Sequence, residues 1–157
     1  MTTEPLLPDA KRLELIGEAV LYCQRVAALG MPASCYTKAL REPILFLWEK
    51  RKGPKSAIPR YRSKASAGLE RGNGDLIYDH AIPFRLLQKE LLDLKHVAPQ
   101  ALADTLNRYE MVVLITKAEN ARLNAMGLAR AMPSDWDGSD PLARYAAAHI
   151  HLVPNVP

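Results

Sequence analysis

The chain has 157 residues, of which 48% are hydrophobic and 24% charged, a balance typical of one soluble globular domain with its own core. Its net charge is +4, which by itself is weak evidence for a nucleic-acid partner. Two cysteines, Cys23 and Cys35, exclude a disulfide framework and a cysteine-based zinc site. The N-terminal sequence does not have the pattern of a signal peptide, and the apolar runs are too short to span a bilayer. We therefore predict a cytoplasmic protein without a membrane partner.

Residues 1–52 are predicted to form a helical scaffold. Apolar residues recur at steps of three and four between positions 9 and 29, where Asp9 suits the N-cap and Gly30 the end. A second helical segment is predicted over residues 36–52. Pro43 lies near its middle, and because proline lacks a backbone donor, we expect a kink or two short helices.

Residues 53–74, together with the lysines and arginine just before them, form a basic segment. Eight Lys and Arg side chains between positions 50 and 71 are accompanied by one acidic residue, Glu70, and by interleaved Gly, Pro and Tyr. Such a segment is either a solvated loop or a surface that follows phosphates, and its position before the Asp-His strand favours phosphate binding. The predicted substrate-binding residues are Lys52, Lys55, Arg60, Arg62, Lys64 and Arg71.

Residues 75–127 contain two predicted strands. The first begins after the turn at Gly72-Asn73-Gly74, carries Asp79-His80 and stops at Pro83. A helical hairpin follows, and the second strand covers residues 111–115. Thr116 and Glu119 then form a capping box that opens a helix ending near Gly127. A tail, residues 128–157, holds turns and a short helix over residues 142–148. We predict one α+β domain, mostly helical, with a small two-stranded sheet.

The Asp-His pair suggests hydrolysis of a phosphodiester. That reaction needs an activated water and a charge that stabilises the phosphate, tasks that suit a histidine and a divalent ion with few protein ligands. A bend at the strand end would let Asp79 and His80 address neighbouring points. Asn120 and Asn124 lie four residues apart on one helix face and offer neutral oxygen ligands. An ordinary turn pair and a polar helix face are the alternative interpretation.

Tyr78-Asp-His-Ala-Ile-Pro83 resembles the Asp-His-x-x-Pro motif of HNH endonucleases, and Val113-Leu-Ile-Thr-Lys-Ala-Glu-Asn120 resembles the strand-to-helix segment of the same ββα-metal finger. The resemblance covers residues 75–127 and is closest to the HNH domains of CRISPR effector nucleases. It implies that His80 is the general base, that Asp79 and Asn120 are metal ligands, and that Asn124 is a further helix ligand. The implied cofactor is Mg²⁺, with Mn²⁺ as the alternative.

One position departs from this family. Its members usually have an Asn just before the second strand, which orients the histidine, whereas this chain has Glu110-Met111. Either Asn107 or another group then holds His80, or the site is weakened. We expect a metal-dependent nuclease acting on nucleic acid, DNA rather than RNA, and two nicks in a duplex would be easiest for a homodimer. The alternatives are a non-catalytic module that binds nucleic acid or protein and a hydrolase of a different phosphate ester.

Overall fold

The computed structural model describes residues 7–70, 72 and 74–156. The α+β class is confirmed, and within the described residues helices outnumber strands, six to four. Arg71, one of the predicted substrate-binding residues, and Asn73 of the predicted turn lie outside these residues. The helices are α1 (Asp9–Ala28), α2 (Ala33–Pro43), α3 (Phe84–Leu92), α4 (Pro99–Tyr109), α5 (Lys117–Ala125) and α6 (Ala143–Ala147), and the strands are β1 (Tyr61–Ser63), β2 (Leu76–His80), β3 (Val112–Thr116) and β4 (Leu152–Pro154).

The sheet has four strands in the order β2-β3-β1-β4, so the prediction of a two-stranded sheet is wrong in size. β2 pairs with β3 antiparallel, with His80 opposite Val112 and Leu76 opposite Thr116. β1 adds to β3 in parallel, and β4 adds to β1 antiparallel. These two strands have three residues each, too few for an alternating pattern to be visible in the sequence. Their pairing satisfies backbone groups that a bare β3 edge would leave open.

Two cores meet at the end of β2. The larger one lies among α1–α4 and includes Ile16, Leu40, Leu91 and Leu106, which are almost fully buried. The smaller one packs the sheet against α5 and α6 through residues such as Val113, Leu123 and Tyr145. Ala81 belongs to the sheet core and Ile82 to the helical core. The Asp-His pair therefore lies where the helical layer joins the sheet.

The second helical segment is interrupted at Pro43, as expected, and two irregular turns follow it. α2 ends at Pro43, a π-helical turn covers Ile44–Trp48, and a 3₁₀ turn covers Glu49–Lys52. Proline cannot donate to the helical ladder, and π-type turns are frequent at functional sites. The irregular turns carry Glu49 inward, where it is 2% exposed.

Of the two helix N-caps predicted from the sequence, that of α5 is confirmed and that of α1 is wrong. The capping box of α5 is confirmed: the Thr116 hydroxyl accepts from the Glu119 N–H, and the Glu119 carboxylate accepts from the Thr116 N–H. Asp9 is not the N-cap of α1, because Pro8 occupies that position and its carbonyl accepts from the N–H groups of Lys11 and Arg12. Asp9 instead lies in the first turn, where its charge interacts favourably with the helix dipole. No helix among the described residues has both the length and the apolar character that a membrane crossing requires.

Candidate active site

His80 lies at the end of β2, with its side chain 42% exposed. Its Nε2 is 2.6 Å from Oε1 of Glu49, and the Tyr78 hydroxyl donates to Oε2 of the same carboxylate over 2.8 Å. The rings of Tyr78 and His80 meet edge to face, 5.7 Å between centroids. A buried carboxylate therefore fixes one nitrogen of an accessible imidazole. Glu49 is the group that contacts this nitrogen, for which the sequence offered Asn107 or another group.

A second carboxyl group, that of Glu110, joins this cluster. Burial alone would raise the pKa of Glu49, but hydrogen bonds from His80 and Glu110, the charge of a protonated His80 and the bond from Tyr78 lower that pKa to about 2. Burial, followed by the hydrogen bond to Glu49 and its negative charge, raises the pKa of Glu110 well above its ordinary value. Glu49 is thus the ionised member of the pair. Glu110 keeps its proton and donates a hydrogen bond to the Glu49 carboxylate.

We expect Glu110→Gln to flatten the pH dependence of stability. The folded protein holds the Glu110 proton at pH values at which an unfolded chain, with an ordinary value of 4.5, has released it. Unfolding then releases a proton, so the free energy of unfolding falls as pH rises from about 4.5 through the raised pKa. Glutamine donates to Glu49 without titrating, so the variant should melt at a higher temperature than wild type at alkaline pH, by about 2–4 °C per kcal/mol.

Thermal melts between pH 5 and pH 9 measure this effect. Glu14→Gln, at an exposed position of α1, is the matched control and should retain the wild-type slope. An unchanged slope in Glu110→Gln would show that Glu110 is not protonated in the folded protein.

Asp79 faces the opposite side of the sheet from His80. Successive residues of a strand alternate between faces, and β2 stays paired with β3 through both residues, so the expected bend is absent. Oδ2 of Asp79 accepts from the guanidinium of Arg144 over 3.0 Å and from the hydroxyl of Tyr145 over 2.6 Å. The Asp79 carboxylate thus pairs with the C-terminal helix α6, whereas His80 pairs with Glu49, although both residues border one cavity.

Asn120 and Asn124 lie on α5. That helix starts after Thr116, which pairs with Leu76 at the end of β2 remote from His80. Leu123 of α5 packs in the sheet core with Tyr145, the partner of Asp79. Both asparagines therefore belong to a helix on the Asp79 side of the sheet, Asn120 half-buried and Asn124 exposed. Their role as metal ligands with Asp79 stays a prediction.

The basic segment divides into anchored and accessible side chains. Arg62 donates to the carbonyls of Ser66 and Leu69 and to the Ser66 hydroxyl. Its guanidinium group is therefore engaged in hydrogen bonds within the protein. Lys64 is exposed, and the ammonium of Lys55 lies 5.5 Å from the centre of the Tyr78 ring. Lys52 and Arg60 line a cavity of about 260 Å³ that also contacts Glu49, Glu110 and Asn107.

A larger cavity, about 730 Å³, is also bordered by Glu49 and Glu110. Volumes of this order are typical of small-molecule sites. Three arginines from separate elements line it, Arg41, Arg85 and Arg130, together with His80 and an apolar floor. The imidazole therefore faces a space with positive charge around it. Further lining residues include Thr37, Ile44, Glu49, Tyr78, Asp79, Ile82, Phe84, Leu87, Gln88 and Glu110.

One group of donor atoms among the described residues could hold a metal ion. One ligand atom each of Glu49, His80 and Glu110 lie within 4.8 Å of one another. Two carboxylates with an imidazole are a chemically reasonable donor set for Mn²⁺ or a similar ion, and Glu110 would have to release its proton to complete this set. Asp79 fits an ion less well, because the Arg144 cation already lies 3.0 Å from its Oδ2 and repels a second positive charge.

Several of these residues carry no signal in the sequence that would have selected them. Glu49 stands among Lys50, Arg51 and Lys52 and reads as a helix-surface charge, and the three cavity arginines lie on segments with no motif. Only Glu110 offered a signal, because it occupies the place just before the second strand where the resembled family has its orienting residue. Comparisons with protein-family models, curated proteins and solved structures find no match.

Proposed function

We propose that the protein is a nuclease that hydrolyses nucleic-acid phosphodiester bonds, DNA rather than RNA, at the end of β2. The observation that carries the proposal is the Glu49–His80 pair, 2.6 Å apart, facing a cavity with three arginines. A positioned imidazole and a cationic pocket are two of the parts that phosphate-ester hydrolysis requires.

His80 acts as the general base. Glu49 is ionised and accepts the Nε2 proton, so the neutral imidazole has its lone pair on Nδ1. Nδ1 takes a proton from water as the water oxygen attacks phosphorus and the bond to the leaving oxygen breaks. The Glu49 carboxylate stabilises the imidazolium that forms, as an acidic partner does in other histidine-dependent hydrolases.

Arginines supply charge for the phosphate. Arg41, Arg85 and Arg130 are exposed residues that border the larger cavity, where guanidinium groups can bind a phosphate in bidentate fashion. Lys52 and Arg60 on the smaller cavity, with Lys55 beside Tyr78, extend this positive surface along a bound strand. Lys64 follows β1 at the end of the sheet remote from His80, where it would contact a more distant part of the same strand. These four residues keep the substrate-binding role proposed from the sequence, whereas the internal bonds of Arg62 favour a structural role.

A divalent ion, Mg²⁺ or Mn²⁺, belongs to the proposal as the resemblance implies it. When bound, it neutralises charge on the phosphate and leaving oxygen. Asp79, Asn120 and Asn124 would hold it in the ββα-metal-finger arrangement, whereas Glu49, His80 and Glu110 are the donors that the fold brings together. The second arrangement would place the ion on Nε2 of His80 in place of the bond to Glu49, and Nδ1 would then carry the imidazole proton and could not act as the base. Asn120→Ala and Glu110→Gln separate them, because the variant that needs more Mn²⁺ for half-maximal cleavage identifies the ligand set.

The proposal is tested by incubating single-stranded DNA, plasmid DNA and a mixed RNA with the protein in EDTA, Mg²⁺ or Mn²⁺. We expect cleavage that is lost by a factor of about 10²–10⁴ in His80→Ala, the range that a general base contributes, with strand binding retained. His96→Ala, at an exposed position outside the cavity, is the matched control and should cut like wild type. Equal cleavage by His80→Ala would remove His80 from the mechanism.

A binding module without catalysis is the second candidate. The pairing of Asp79 with Arg144 favours it, since this contact uses the carboxylate that the resembled nucleases give to their metal. It predicts that nucleic acid binds with a steep dependence on salt concentration and is not cut under any metal condition.

A further inference from the structure

Among the residues that the structure describes, Gln88 is the buried polar side chain that has an atom without a hydrogen-bond partner. It lies on α3, is 8% exposed and borders the larger cavity. Its Oε1 has no hydrogen-bond partner among the described residues. A buried acceptor without a donor costs about 1–3 kcal/mol, so a ligand that brings a donor to this position gains binding energy from the cavity.

The surroundings of Gln88 fit a flat, partly apolar ligand. The apolar floor of the cavity consists of the buried residues Ile44, Ile82 and Leu87. Two aromatic residues, Tyr78 and Phe84, also line the cavity. The guanidinium carbon of Arg41 lies 5.9 Å from the centre of the Phe84 ring. Aromatic rings and guanidinium planes stack on nucleobases, and the edges of the bases carry donors that a glutamine amide can pair with.

We propose that this cavity binds one nucleotide of the substrate strand, with its base against the floor and Gln88 and its phosphate between the arginine rim and His80. This inference rests on the proposed function and adds to it whether the substrate is single-stranded or double-stranded. A stacked and paired base cannot enter a pocket, so the strand is single or the nucleotide is flipped out of the duplex. The protein then prefers single strands to duplexes.

Calorimetry with four nucleoside 5′-monophosphates, ribose 5-phosphate and inorganic phosphate tests the pocket without any need for cleavage. We expect at least one nucleotide to bind ten or more times as tightly as ribose 5-phosphate, because only the nucleotide uses the floor and Gln88. Binding of ribose 5-phosphate as tight as that of every nucleotide would overturn the proposal, and so would a failure of all four nucleotides to bind.

Gln88→Leu gives the decisive variant. Leucine keeps the apolar volume and removes the unpartnered acceptor, so its melting temperature should equal or exceed that of wild type, which separates loss of binding from loss of folding. We expect the best nucleotide to lose at least fivefold in affinity while ribose 5-phosphate is unchanged. Gln100→Leu, at an exposed position of α4, is the control and should lose nothing. Unchanged nucleotide affinity in Gln88→Leu would remove Gln88 from the site.

The same set of measurements separates the two proposals. Base-dependent nucleotide binding without cleavage of any strand would leave the pocket in place and overturn the nuclease. Cleavage that His80→Ala abolishes, together with nucleotide binding that is no tighter than that of ribose 5-phosphate, would leave the nuclease in place and overturn the pocket. A rate on single-stranded DNA at or below that on the matched duplex would also overturn the pocket.

Discussion

Glu49→Gln is expected to lower the maximal cleavage rate by about 100-fold or more while strand binding stays the same. Glu49 acts through His80, so it is a positioning residue. Its ionised oxygen accepts the Nε2 proton over 2.6 Å and leaves Nδ1 as the base. A glutamine amide can present its NH₂ to the same nitrogen, which favours the other tautomer, and it carries no charge to stabilise the imidazolium.

Steady-state kinetics distinguish this role from a structural one. We expect kcat to fall and KM to stay within about twofold, since the lost interaction belongs to the transition state. Tyr78→Phe removes one of the other hydrogen bonds to Glu49 and leaves the His80 contact, so it should cost less than tenfold. Glu49→Asp keeps the charge and should recover part of the rate. If Glu49→Gln cuts like wild type while His80→Ala is inactive, the contact does not position the base.

Arg144→Met is expected to lower the free energy of unfolding by about 3–5 kcal/mol, a large part of the 5–15 kcal/mol typical of a domain. Arg144 is 2% exposed and donates to Asp79 and to the carbonyls of His80, Ala81 and Leu128. Methionine fills much of the volume but removes one donor from each of these acceptors, and the mostly buried Asp79 carboxylate then keeps only the hydrogen bond from the Tyr145 hydroxyl and has no counter-charge. The contact joins α6 and the segment after α5 to the end of β2.

Urea unfolding at pH 7 measures the change. Arg25→Met, at an exposed position of α1, should change stability by less than about 0.5 kcal/mol. The double variant Asp79→Asn with Arg144→Met should recover part of the loss, because the buried charge is then removed from both partners. A loss below about 1 kcal/mol in the single variant would show that the Arg144 contacts are not needed for the fold.

Asp79→Asn also carries a functional consequence. If Asp79 serves only to pair with Arg144 and Tyr145, the variant should lose stability and keep the metal requirement of cleavage. If Asp79 is a metal ligand, as the resemblance implies, the concentration of Mn²⁺ for half-maximal cleavage should rise. The buried setting of the pair supports the first outcome. Burial, and then the Asp79 charge, raise the pKa of the Tyr145 hydroxyl well above its ordinary value. This hydroxyl therefore keeps its proton and donates a hydrogen bond to Asp79.

The sequence determined the local structure of this protein. Apolar residues at steps of three and four specify α1, a proline specifies the break after α2, and the Thr116–Glu119 capping box specifies the start of α5. Each depends on residues within one or two turns, so it can be read without knowing the fold. The accessible histidine at the end of β2 was found in the same way, from a strand that stops at a proline.

Only the tertiary structure decided what His80 contacts. Glu49 comes from an irregular turn 31 positions earlier in the chain, and Arg144 reaches Asp79 from 65 positions later. No periodicity relates residues so far apart, and a charged side chain reads as solvated until packing buries it. Alternation along β2 directs Asp79 and His80 to opposite faces, and the two cores give these faces different partners. The adjacent pair in the sequence is therefore divided between a buried ion pair and a candidate active site.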